Sequence, residues 1–231
     1  LAWSRGLGDV YKRQEEIENA LFLLLGRKQR WPVMGCGRTD TGVHAHDFYL
    51  HVDLPTEIDP TNLKYKLNKI LPKDIAILDC QEKQEDWHAR FDAKNRTYRY
   101  FIHTSKNPFI LDTSSYLPHP FDLDKMNEAC TQLIGTKDFT SLSKLNTDVK
   151  TNICDVRKAK WHQTSETEFY FEISADRFLR NMVRATVGTL LDVGYGKIKP
   201  SDVQKILDQK DRGAASQSAP ANGLFLWKVD Y

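Results

Sequence analysis

Two runs in the second half of the chain, Cys154 to His162 and Glu168 to Ala175, alternate apolar and polar residues and are joined by the polar turn Gln163 to Thr167. Alternation at period two with so short a connection predicts an antiparallel hairpin, because a parallel pair needs a long crossover. The same period recurs in Ala45 to Asp53, Lys94 to Ile102 and the closing run Leu224 to Tyr231, and Ile75 to Leu78 reads as a short buried strand. Helical spacing appears between them. Ile17, Ala20, Leu21 and Leu24 predict a helix over Gln14 to Leu25, ended by Gly26, and Leu63, Leu67 and Ile70 predict a second. Met126, Ala129, Cys130 and Leu133 predict a third over Leu123 to Leu133, and a helix opening at Asp176 and running towards Val193 carries Leu179, Val183, Thr186 and Leu190. A last helix runs from Pro200 to Gln209. Both periods in each half, with hairpin-type connections, give an α+β fold. At 231 residues the chain has room for one large domain or two small ones. The proline-bearing loop Asn107 to Pro120 is the expected crossing, so residues 14–105 form a first half and 106–231 a second.

The strongest chemical signal is Gly35-Cys36-Gly37-Arg38-Thr39-Asp40-Thr41-Gly42-Val43-His44-Ala45. Glycines at this density mark backbone that takes positive φ or admits a close approach, so the segment reads as a shaped loop presenting Arg38 and Asp40. A guanidinium close to the carboxylate would keep it ionised, which suits a nucleophile or a base. Spacing alone leaves open the plainer reading, in which Asp40 caps a turn and Arg38 is a surface charge.

A net charge of +2 means that any polyanion surface must come from local clustering of Lys and Arg. Cys36, Cys80, Cys130 and Cys154 are far apart and form no C-x-x-C pair, which suggests neither a zinc site nor a disulfide framework and points to a reducing, cytoplasmic setting. The apolar run Ala20 to Leu25 is far too short to cross a bilayer. Leu1 to Arg13 shows no periodicity and no signal-peptide pattern, and its structure is left open.

Three further patterns carry alternatives. His44, His46 and His51 lie near the glycine loop, but no third ligand or carboxylate-rich neighbourhood accompanies them, so no metal is assigned. Lys94 to Ile102 sends Tyr98, Tyr100 and Ile102 to one face and Arg99 and Phe101 to the other. That suits a platform for unstacked bases, and equally a core strand. Arg177, Arg180 and Arg184, at spacings of three and four, would line one edge of a helix as a basic stripe or a solvated face.

The glycine loop closely resembles the G-x-G-R-T-D-x-G-V-H-A signature of the TruA-type tRNA pseudouridine synthases. The resemblance continues through His88-Ala89-Arg90-Phe91, the Arg96-Thr97-Tyr98-Arg99-Tyr100 strand, Gly135 to Ser141 and Phe178 to Arg184 to the closing strand, covering Gln14 to Tyr231. It implies two RNA-recognition-like α/β halves with antiparallel sheets joined across a central cleft, and a homodimer acting on uridines 38 to 40 in the anticodon stem-loop of tRNA. It further implies Asp40 as nucleophile, Arg184 as its ionic partner and Tyr98 against the target base. Arg38 would fill or prop the gap left in the RNA, while His88, Arg90, Phe91 and Arg180 support the site or face RNA. No cofactor or metal is implied. Family members open with a strand bearing Tyr-Asp-Gly and Gly-Trp-Gln before the helix, so Leu1 to Arg13 is expected to be foreign or misread sequence. Cys36 and Thr41 stand where the family often has alanine. Two other readings stay open. Asp40-Thr41-Gly42 also spells the aspartic protease triplet, without a second copy in the chain, and an altered N-terminus could leave an inactive RNA-binding protein.

Overall fold

A computed structural model describes residues 1–4, 10–55, 57–144 and 149–231. Contacts divide the chain into two compact units, Leu1–Lys94 with Leu226–Tyr231, and Asn95–Phe225. The fold is α+β, and its strand pairs are antiparallel with a single described exception, noted below.

The first unit holds strand β1 (Ala2–Ser4), helix α1 (Val10–Leu24), β2 (Met34–Gly35), β3 (His44–Phe48), β4 (Leu50–His51), α2 (Pro60–Ile70) and β5 (Ile75–Ile77). β1 lies between β3 and β5 in the sheet, and the end of the last strand, β11 (Leu224–Asp230), adds beside β3. The opening segment thus supplies a strand, and α1 begins before Gln14. Residues 5–9 of the segment expected to be foreign lie outside the described residues. Ile17 and Leu21 of α1, Leu63 and Leu67 of α2, and Ile75 and Ile77 of β5 share one core. Each such side chain taken out of water contributes about 1.5–3 kcal/mol. Ile70 was expected on the buried stripe but is exposed, because α2 ends there and the chain turns in at Leu71 instead. Asp59 caps α2 by accepting from the Thr61 and Asn62 amides, with Pro60 in the first turn. Asn68 exchanges two hydrogen bonds of 2.7 Å with the Ile77 backbone, occupying groups of β5 that a neighbouring strand would take.

The predicted strand over Ala45 to Asp53 breaks at Tyr49 into β3 and β4, which join different sheets. The break has a use. The Tyr49 carbonyl is turned to accept from the Cys36 amide at 2.8 Å.

The second unit is built on β6 (Asn95–His103), β7 (Ser115–Tyr116), β8 (Gly135–Asp138), β9 (Ile153–Gln163) and β10 (Glu168–Ala175), in the order β6-β10-β9-β8, with β7 parallel to β6. The expected hairpin is β9–β10, registered Tyr170 to His162 and Ile173 to Ala159. Tyr100, Ile102, Phe171, Ile173 and Trp161 are buried on one face. α3 (Leu123–Cys130) packs on β9 and α4 (Met182–Gly194) packs on α3, while α5 (Asp202–Gln209) packs near the short 3-10 turns at 131–133 and 140–142. Phe139 is fully buried in the core.

The helix expected from Asp176 starts only at Met182. Asn181 takes a left-handed φ of 65°, which a helix cannot pass through, and the backbone before it is committed elsewhere. The Asp176 carboxylate accepts from the Asp155 and Arg177 amides, and the Arg180 carbonyl accepts from Lys144. The basic stripe is therefore no helix edge. Arg184 lies in α4, whereas Arg177 and Arg180 lie in the approach to it.

Candidate active site

In the first unit the Arg38–Asp40 loop hangs from the β2–β4 ribbon, in which Met34 pairs with His51 and Gly35 with Leu50. A Cβ on Gly35 would lie 2.6 Å from Cζ of the buried Phe48, so only glycine lets the ribbon pass so close to β3. The loop closes on itself where the Val43 amide donates to the Asp40 carbonyl at 3.1 Å, a turn that gives Gly42 a φ of 81°. Cys36, Thr39 and Val43 face inward and are buried, Arg38 is exposed and Asp40 is half-buried. The loop therefore buries Cys36, Thr39 and Val43 while Arg38 reaches solvent and Asp40 stays partly accessible.

α1 holds this arrangement from below. Gln14 Nε2 donates to the Val33 carbonyl at 2.6 Å and Glu18 accepts from the Val33 amide at 2.9 Å, so two side chains one turn apart fix the peptide leading into β2. Arg13 is buried and donates to Thr39 Oγ1 and to the Val43 carbonyl, each at 2.5 Å, on either side of Asp40. Sequence reasoning passed over these three residues as loop supports, since a polar side chain bonding to a distant backbone leaves no periodic mark.

His88 to Phe91 is a second braced loop of the same unit. Asp92 accepts from the His88 amide at 2.7 Å, and His88 Nδ1 faces the amides of Arg90 and Phe91 at 3.1 and 3.3 Å. Ala89 is fixed on both sides, its amide donating to His51 Nδ1 at 3.1 Å and its carbonyl accepting from the Tyr231 hydroxyl at 2.7 Å. Burial, and then the neighbouring His88, lower the His51 pKa and keep it the neutral acceptor this bond requires. The loop thus offers Arg90 and Phe91 to solvent, Phe91 at 76 % exposure with its ring tilted against His88. His46 stacks on Trp227 at 4.2 Å, and His44 is buried. Among the described residues no cluster of His, Cys, Asp or Glu could hold a metal ion.

In the second unit Tyr98 and Tyr100 share the inner face of β6 but sit differently. Tyr98 is 9 % exposed and meets the Phe178 ring edge-on at 5.0 Å. Tyr100 is fully enclosed, donates to the Pro220 carbonyl at 2.9 Å and shares a 2.6 Å hydrogen bond with Ser115. Burial pushes the Tyr100 phenol up to about 12, against smaller opposing effects of Ser115 and Arg184, so it remains protonated and structural. Arg184 is tied to the loop before β11: its Nε donates to the Ala219 carbonyl at 2.7 Å and its own carbonyl accepts from the Ala219 amide at 3.0 Å. Asn181 Nδ2 adds a 2.6 Å bond to Ser218 Oγ. Arg180 is exposed.

A family model of tRNA pseudouridine synthases matches residues 129–231. The tRNA pseudouridine synthase A of Bacteroides fragilis is 50% identical over 219 residues, covering 94% of this chain and 86% of that protein. The chain belongs to the tRNA pseudouridine synthase family. The corresponding proteins of Porphyromonas gingivalis and Bacillus licheniformis are 45% and 41% identical, again over 94% of this chain and over 87% and 89% of their own lengths. Enzymes of this family isomerise uridine to pseudouridine in tRNA, and the chain is such an isomerase. Among the described residues no helix is long and apolar enough to cross a membrane.

Proposed function

We propose that the chain forms pseudouridine at positions 38, 39 and 40 in the anticodon stem-loop of tRNA, with Asp40 as nucleophile. The observation that carries this reading is the Arg38–Asp40 loop, whose G-R-T-D-x-G-V-H-A wording stands on a backbone that buries Cys36, Thr39 and Val43 and leaves Arg38 exposed and Asp40 partly accessible. The reaction breaks the N1–C1′ bond of uridine and forms a C5–C1′ bond, with N1 gaining a proton and C5 losing one. A carboxylate suits it by forming or stabilising the ribosyl adduct while the base turns. The base must first leave the stack, and Arg38 fills or props the gap it leaves. Arg184 pairs with Asp40, and Tyr98 stacks on the turned base or takes its proton. His88, Arg90, Phe91 and Arg180 support or contact the RNA. An isomerisation needs no electron or group donor, so we assign no cofactor. The enzyme works as a cytoplasmic homodimer.

The test is tritium release from tRNA transcripts labelled at uridine C5, each keeping one uridine among positions 38, 39 and 40. The parent should release tritium from all three, and Asp40→Ala from none. Release by Asp40→Ala would remove the nucleophile assignment, and release from a transcript lacking all three uridines would refute the site on tRNA.

A further inference from the structure

Three consecutive backbone amides of the second braced loop, those of Ala89, Arg90 and Phe91, all face imidazole nitrogens. The Ala89 amide donates to His51 Nδ1 at 3.1 Å, and the Arg90 and Phe91 amides face His88 Nδ1 at 3.1 and 3.3 Å. The two imidazoles meet edge-on with their centroids 4.6 Å apart. An amide N–H can only donate, so each of these bonds exists only while the Nδ1 it points at carries no proton. His51 also belongs to β4, opposite Met34 of β2, in the ribbon from which the Arg38–Asp40 loop hangs. Two residues before it, Tyr49 accepts from the Cys36 amide through its carbonyl and meets the Tyr231 ring edge-on at 4.9 Å, while the Tyr231 hydroxyl donates to the Ala89 carbonyl at 2.7 Å. Ala89 is thus tied to the ribbon directly at its amide and through Tyr231 at its carbonyl.

We propose that His51 is a positioning residue for tRNA: its neutral imidazole holds the 88–91 loop in register with the Arg38–Asp40 loop, and its protonation frees the 88–91 loop and weakens tRNA binding. The inference rests on the RNA contacts proposed above for Arg90 and Phe91 and adds what fixes them in place. A proton on His51 Nδ1 turns the acceptor into a second donor aimed at the Ala89 amide, and it sets a positive charge beside the His88 ring. The titratable groups around His51 are His88, Asp53 and Asp92, with Asp92 also accepting from the His88 amide. Lys83 over the Trp87 ring and Arg90 over the Phe91 ring add positive charge to the same loop. Burial and then His88 oppose protonation of His51, the two carboxylates favour it, and the balance lies below the ordinary value of 6.5. A lowered value in the braced loop means that the clamp is at full strength above about pH 6.5 and is lost as pH falls from there through the braced value. A histidine that only packs would give no such dependence.

Asparagine places a carbonyl oxygen where Nδ1 stands and does not titrate, so His51→Asn keeps the acceptor and removes the switch. Tritium release from tRNA labelled at uridine C5 would be followed between pH 8 and pH 5.5 for the parent, His51→Asn and His51→Ala, with hydrogen exchange of residues 88–92 measured on the same proteins. At pH 8 His51→Asn should match the parent, whereas His51→Ala, which loses the acceptor, should raise KM about three- to tenfold with little change in kcat. At pH 5.5 the KM of the parent should have risen about three- to tenfold more than that of His51→Asn, since one unit below 6.5 is worth about tenfold at most for a single group. The Ala89 amide should then exchange faster in the parent than in the asparagine variant. Equal pH dependence of exchange in these two proteins, or His51→Ala with the KM and exchange of the parent at pH 8, would overturn the proposal. So would a parent KM that falls with pH relative to His51→Asn, which would make the protonated ring a phosphate contact. Exchange that behaves as expected while KM stays unmoved would keep the clamp and refute the RNA contacts given to Arg90 and Phe91. Absence of tritium release from all three proteins would refute the reaction, and exchange would still decide the clamp.

Discussion

Gly188, in the middle of α4, tests how the proposed partner of Asp40 is held. A Cβ built there would stand 1.9 Å from the Gln217 carbonyl oxygen and 3.0 Å from its carbon. The obstacle is backbone, so no rotamer relieves it, and the 217–219 segment must retreat by more than an ångström to reach ordinary contact. That segment holds Arg184 at both ends, through Nε to the Ala219 carbonyl and through the Ala219 amide to the Arg184 carbonyl. Overpacking costs about 1–3 kcal/mol. Straining the two hydrogen bonds adds about 0.5–1.5 kcal/mol each, while replacing glycine by alanine in a helix returns about 1 kcal/mol. Gly188→Ala should therefore lose about 1–5 kcal/mol, which for a chain of this length lowers the melting temperature by roughly 2–20 °C. Thermal melting reads the stability, and tritium release below the transition reads Arg184, whose displacement should lower kcat/KM in the folded variant. Gly37→Ala is the stability control, since a Cβ there meets nothing within 4 Å. A Gly188→Ala protein that melts within a degree of the parent with unchanged turnover would refute the reasoning.

Two further substitutions address the ribbon and the sheet. Gly35→Ala would drive a methyl group against the buried Phe48 ring, at a cost of about 1–3 kcal/mol, and should reduce turnover as well as the melting temperature because the nucleophile loop hangs from that ribbon. Burial alone would raise the Glu172 pKa, but hydrogen bonds from Lys158 and Arg99 outweigh it and hold the carboxyl below the ordinary glutamate value of 4.5. A depressed folded pKa stabilises the fold above the unfolded value, and the contribution is lost as pH falls through the folded value. Glu172→Gln should accordingly melt lower than the parent at neutral pH, by the few degrees that about 1–2 kcal/mol produces, and the gap should narrow below about pH 4.5. An equal gap at pH 7 and at pH 3 would show that shape, and not charge, makes the difference.

Strand and helix periods made most elements legible in the sequence because burial on one face writes itself into every second or every third and fourth residue. The β9–β10 hairpin, β6 and α2 follow directly from that. What escaped has local backbone causes. The break at Tyr49 arises because its carbonyl serves Cys36, and the late start of α4 arises because Asn181 turns left-handed, yet Leu179 and Val183 keep apolar spacing across the turn. Ile70 kept the spacing as well, although the helix had ended beneath it. An apolar pattern says which residues could share a face, and cannot say where the backbone leaves the helix.

The candidate site divides along the same line. Arg38, Asp40, Tyr98 and Arg184 stood out because the reading assigned chemistry to their particular side chains. The groups that position them are mostly backbone atoms: the Val33 peptide held by Gln14 and Glu18, the Tyr49 carbonyl facing Cys36, and the Ala219 peptide gripping Arg184. A peptide group is the same whichever residue carries it, so sequence pattern registers such support only where a side chain would be in the way. Gly188 and Gly35 are two such places. Each is a glycine because another group already occupies the space of its Cβ, and each stands directly beside a residue or loop to which the chemistry is assigned. Read this way, a glycine inside a predicted helix or strand marks where a functional loop is clamped, and substituting it probes the clamp without touching a reacting group.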